Sequence, residues 1–147
     1  MEFPQSYCKT MLKYLDVINK YGCLAMCYLY CMGIAPKNMI EILVDILEKN
    51  KPQETGLDAD CTVLDAPKFI FYVSGRKVNV FKENPSLNEI KVPTPVRFSI
   101  DNINHSHWVV VQKGKIVFNS LDYSNCVNNG RPIAFIDSPY ARVIELK

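Results

Sequence analysis

The sequence predicts an α+β domain with helices first and an antiparallel sheet second, and three observations predict it. Apolar residues recur near helical spacing as far as Gly75, the period falls to two beyond it, and the later segments are rich in β-branched and aromatic residues. At 147 residues and 48% hydrophobic content the chain suits a single domain with its own core. The expected division is a helical half over about 1–75 and a sheet half over about 76–147, with no repeat, linker or low-complexity tract.

The first helix runs over Tyr7 to Ile18, where Met11, Leu12, Leu15 and Ile18 mark its apolar side, and it stops before Asn19-Lys20-Tyr21-Gly22. Cys23 to Met32 is apolar on every side, so it reads as a buried helix that ends at Gly33, a residue suited to positive φ. Pro36 opens a third helix that closes near Lys49-Asn50, with a cation at the negative end of the dipole. Lys51 to Asp60 reads as polar loop. Asp65-Ala66-Pro67 starts another helix, which Gly75 ends. The predicted strands are Val78 to Phe81, Val96 to Ile100, Trp108 to Val111, Ile116 to Phe118 and Arg142 to Leu146.

Composition excludes several functions. The net charge of +2 comes from interspersed Lys and Arg, without the basic patch that nucleic-acid binding uses. The longest apolar stretch, Cys23 to Met32, falls short of the roughly 20 residues a membrane span needs. The Met1-Glu2-Phe3-Pro4 start carries no export signal, so the expected location is cytoplasmic and the six cysteines are expected to be free thiols. Cys23, Cys27 and Cys31 recur every fourth residue, which fits helix packing and neither zinc nor iron–sulfur spacing. No metal or cofactor is expected.

Cys23 opens the buried helix. A thiol there lies at the positive end of the helix dipole, which together with a nearby imidazolium would favour the nucleophilic thiolate. Gly22 before it allows a sharp entry and leaves room for a substrate carbonyl. The plainer reading makes Cys23 one of three small core residues on a single helix face. Of the two histidines, His105 belongs to a polar loop, whereas His107 stands at the mouth of the Trp108 to Val111 strand, where an imidazole can meet a helix N-terminus.

Hairpin geometry nominates a group to orient that imidazole. If Gln112-Lys113-Gly114 is a three-residue turn with Gly114 at positive φ, His107 faces Asn119 on one side of the sheet. If Lys113-Gly114 is a two-residue turn, His107 faces Ser120 and parity favours Asp122. An oxyanion donor is also required, and the nearest amide side chain is Asn19, alongside the Cys23 backbone N–H.

Gly22-Cys23 before an apolar helix, then His107-Trp108-Val109-Val110-Val111 and Asn119-Ser120-Leu121, resembles the papain-like cysteine peptidase superfamily in its small single-domain form. The nearest likeness is to the double-glycine leader peptidases that mature bacteriocins, and to short bacterial and phage proteins of the same layout. The resemblance implies a papain-like fold and a cysteine hydrolase acting on a peptide or protein substrate through a thioester acyl-enzyme. It makes Cys23 the nucleophile, His107 the general base and then acid, and Asn119 the orienting group, with Asp122 as the other candidate. The chain departs from the leader peptidases in two ways. Its glycine, Gly22, precedes the cysteine where theirs follows it and no glutamine stands about a turn before Cys23, and it has Asn119 where they have aspartate. A silent copy of the fold that binds proteins, and acyl transfer to an amine, remain alternatives on the same residues.

Overall fold

The computed structural model describes the backbone of residues 5–99, 106–120, 130–132 and 139–147, with side chains from residue 12 onward. Its helices are α1 (Gln5–Tyr21), α2 (Cys23–Cys31), α3 (Pro36–Lys49), the single turn α4 (Pro52–Thr55) and α5 (Ala66–Ser74). The strands are β1 (Val78–Glu83), β2 (Thr94–Ser99), β3 (Ser106–Gln112), β4 (Lys115–Phe118), the short β5 (Arg131–Pro132) and β6 (Ala141–Leu146). The α+β reading therefore holds. The single turn α4, within the segment expected to be loop, and strand β5 are additions. Ile100, the expected end of the second strand, lies outside the described residues.

The helix ends follow local chemistry. In α2 the N–H of Gly33 reaches Tyr30 O at 2.9 Å and that of Ile34 reaches Leu29 O at 3.0 Å. This pair of bonds needs the left-handed φ of 87° that Gly33 adopts. Pro36 opens α3, where its missing N–H is not needed. Asp65 caps α5 by accepting the Lys68 N–H at 3.0 Å.

The sheet is antiparallel throughout, in the order β1-β6-β2-β3-β4, with β5 beside β2. One face carries Val78, Val80, Ile144 and Phe118 against the helical core of Ala25, Tyr28, Leu29, Met39, Leu43 and Phe69. Tyr30 of α2 stacks on Phe118 with ring centroids 5.0 Å apart. The other face gathers Val96, Phe98, Val109, Val111 and Ala141 around Ile90. Strand alternation puts His107 on this second face and Trp108 on the helix face.

The β3–β4 turn corrects the expected register. Gln112 pairs with Lys115, so the loop is the two-residue Lys113-Gly114, with both residues at positive φ, 54° and 76°. Left uninterrupted, that register would put Asn119 opposite Trp108, on the face away from His107. A β-bulge intervenes. Val111 pairs with Ile116, but Val110 pairs with Phe118, so Val117 is an extra residue on β4. The insertion reverses the alternation beyond it and returns Asn119 to the side of the sheet that His107 occupies.

Gly22 joins α1 to α2 where the two helices pass close together. A Cβ added there would lie 2.6 Å from Ile18 O and 3.1 Å from the Cys61 sulfur. The space its missing side chain leaves is thus taken up by the chain itself, and the room foreseen for a substrate carbonyl is not at this spot. Gly22→Ala should lower unfolding stability by about 1–3 kcal/mol, read as a shift of the urea midpoint at unchanged slope.

Candidate active site

Cys23 is the first residue of α2, with Gly22 as its cap and no side-chain cap. The first amides of a helix lack intrahelical acceptors. Here the N–H groups of Cys23 and Leu24 turn toward the Cys23 sulfur, and the Trp108 N–H approaches it from β3. The last β3–β4 pair is Val110 with Phe118, so Trp108 lies beyond the end of that ladder. The sulfur therefore rests at the open end of the sheet, against the amide of the residue that follows His107.

His107 is largely enclosed, at 7% exposure, and pairs with Phe98 of β2. Its Nε2 lies 2.8 Å from Asn119 Oδ1. An amide oxygen only accepts, so Nε2 carries the proton and donates it, leaving Nδ1 as the basic nitrogen of the neutral ring. Among the described residues no hydrogen bond joins the ring directly to the sulfur. The structure thus joins His107 to Asn119, and brings Cys23 to the neighbouring amide of the same strand. Asp122 lies outside the described residues, as does His105.

Electrostatics place both groups in their neutral forms. Burial pushes the Cys23 thiol above its ordinary value, and the N–H groups of Trp108, Leu24 and Cys23 only partly oppose it. Burial likewise lowers His107, with the Asn119 bond acting in the other direction. This corrects the expectation that dipole and imidazolium would pull the thiol down, because desolvation outweighs the amide donors. Cys23 still differs from its neighbours. Burial pushes Cys31 and Cys61 up to about 12 and Cys27 well up, and no backbone donor counters it at any of the three. Cys31 donates instead to Pro93 O at 3.4 Å. These four cysteines are all free thiols.

Asn19 is solvent-exposed in the last turn of α1, and its side chain makes no hydrogen bond among the described residues. The donors gathered around the sulfur are backbone amides. Sequence reasoning named the Cys23 N–H but missed those of Leu24 and Trp108. The helix start was a signal for the first; the second depends on where β4 stops. No group of side chains suited to a metal ion occurs among the described residues, and none of the helices described is long and apolar enough to cross a membrane.

Comparison with protein-family models, with curated proteins and with solved structures gives no match.

Two outcomes test this geometry. Deleting Val117 removes the bulge while leaving Phe118 opposite Val110 and Asn119 on the His107 face, so the alkylation of Cys23 by iodoacetamide should stay near the wild-type rate, whereas Asn119→Ala should lower it with the circular dichroism spectrum kept. The pH profile of that alkylation should have its acid limb below 6.5, the ordinary imidazole value, because His107 is shifted downward and keeps its basic form further into acid. An acid limb above 6.5 would mean that another group controls the thiol.

Proposed function

We propose that the chain is a papain-like thiol hydrolase of amide bonds in peptides or proteins, with Cys23 as nucleophile, His107 as base and acid, and Asn119 as the group that orients the ring. The observation that carries this reading is the 2.8 Å bond from His107 to Asn119, on the strand whose next amide faces the Cys23 sulfur and lowers its pKa. A base held by an orienting side chain recurs in sites built for thiol acyl transfer.

The chemistry follows from the neutral resting pair. As the sulfur attacks the carbonyl carbon, its proton passes to Nδ1 of His107, and Asn119 stabilises the imidazolium through Nε2–H. The imidazolium then protonates the departing amine, which leaves an acyl thioester on Cys23. Water, deprotonated by the same Nδ1, hydrolyses the thioester and restores the thiol. The Cys23 N–H at the helix start, which has no intrahelical acceptor, would donate to the carbonyl oxygen as charge develops there.

A protein-binding module on the same fold is the second reading, favoured by the raised thiol and by the absence, among the described residues, of a side-chain oxyanion donor near the sulfur. Iodoacetamide labelling at neutral pH with mass mapping of each cysteine separates the two. The hydrolase reading expects Cys23 to react at least about tenfold faster than Cys31 or Cys61, and His107→Ala to remove that advantage. Equal, slow labelling of all three would leave the binding module. Cleavage of a quenched-peptide library should vanish in Cys23→Ala and fall by about 10²-fold or more in His107→Ala.

A further inference from the structure

A pocket of about 240 Å³ lies at the end of α2 remote from Cys23. Cys31 lines it, and the eight residues that separate the two thiols on the helix put them about 12 Å apart along its axis. Met32, Ile70 and Val78, which line it from within, are buried members of the helical core. Its outer wall is aliphatic as well. Val92 and Leu146 belong to that wall although they are 58% and 75% exposed. Large aliphatic side chains left in water beside an apolar cavity gain free energy when a chain covers them.

One charged side chain enters the lining, that of Arg76. It is exposed, and its guanidinium has no hydrogen-bonded or ionic partner among the described residues. No carboxylate is among the described residues that line the pocket. The polar groups of the Val92-Pro93 wall are already engaged. Thr94 Oγ1 donates to Val92 O at 2.9 Å, the Cys31 thiol donates to Pro93 O at 3.4 Å, and proline has no N–H to offer. A peptide laid on this wall would bring amides that the wall leaves unserved, and each would lose its water without a replacement. An aliphatic chain brings none, and a carboxylate at its end meets a guanidinium in a charge-assisted bond. The volume lies below the roughly 300–1,000 Å³ of sites for drug-sized ligands, which calls for a small occupant.

We propose that this pocket binds an aliphatic monocarboxylate, a free fatty acid of medium chain length, with the chain against Met32, Ile70, Val92 and Leu146 and the head on Arg76. The site is separate from the candidate active site and does not rest on the hydrolase reading.

The whole chain is titrated in a calorimeter with octanoate, with octanol as the uncharged ligand of the same chain length, and with hexanoate. Octanoate should bind about tenfold more tightly than octanol, and about tenfold more tightly than hexanoate, which is two methylenes shorter. Arg76→Gln should bring octanoate down to the level of octanol and leave octanol unchanged. Val92→Asn should weaken both. Each of these positions is exposed, so the variants should keep the wild-type melting temperature, and Leu146→Asn serves as a second change to the apolar wall. No binding of octanoate to the wild-type chain, or equal binding of octanoate and octanol, would overturn the proposal, as would an octanoate affinity unchanged in Arg76→Gln. Tighter binding of the peptide acetyl-Ala-Ala-Leu with a free C-terminus would assign the pocket to a peptide end. A concentration-dependent dimer in sedimentation, dispersed by Val92→Asn, would assign it to a second copy of the chain. Either result overturns the fatty acid. None of these readouts depends on Cys23, so this site and the hydrolase stand or fall separately.

Discussion

The constraint on which the rest depends is the apolar character of α2. A helix with no polar face is driven to be covered, and here α1, α3 and the sheet bury Ala25, Cys27, Tyr28 and Leu29 and half-cover the rest of α2. That burial fixes where its first residue lies. Because α2 packs across β3, its N-terminus comes to the open end of the strand pair, and the Cys23 sulfur meets the Trp108 amide there. The Gly33 stop and the close approach at Gly22 hold the two ends of α2, so the position of the thiol is a consequence of core packing.

The same burial has an electrostatic consequence. Enclosing a thiol favours its neutral form, and enclosing an imidazole favours its neutral form too. The two shifts act in opposite directions on the scale but leave both groups neutral, the thiol protonated and the imidazole uncharged. On the hydrolase reading proposed above, the nucleophile would be generated during attack rather than stored beforehand. The amides around the sulfur and the amide side chain at His107 Nε2 would then stabilise the charge that appears at that moment.

Among the described residues, the charged side chains that β1, β6 and β2 turn to the helix face are of one sign. Lys82, Arg142 and Arg97 come from three neighbouring strands, and Trp108 lies beneath two of the guanidiniums. None of this shows in the net charge of +2, which spreads evenly along the chain and suggests no patch. Antiparallel pairing brings together residues as far apart in sequence as 82 and 142, and strand alternation turns them to one face.

The sequence alone determined those features that depend on local physics. Periodicity distinguished helices from strands, Gly33, Gly75 and Asp65 marked helix ends through backbone sterics and capping, and the uniformly apolar run from Cys23 identified the buried helix. His107 and Asn119 were nominated from strand order and parity. Tertiary structure decided the rest. The turn is two residues long, which by itself would have sent Asn119 to the wrong face, and the bulge at Val117 restored it. A bulge is settled by how β4 packs against β3 and α2 together, with Phe118 drawn onto Tyr30, and no local preference in Ile116-Val117-Phe118 announces it. The state of the Cys23 thiol was likewise beyond sequence, since a helix start predicts stabilisation of the thiolate while the depth of burial, known only from packing, reverses the balance.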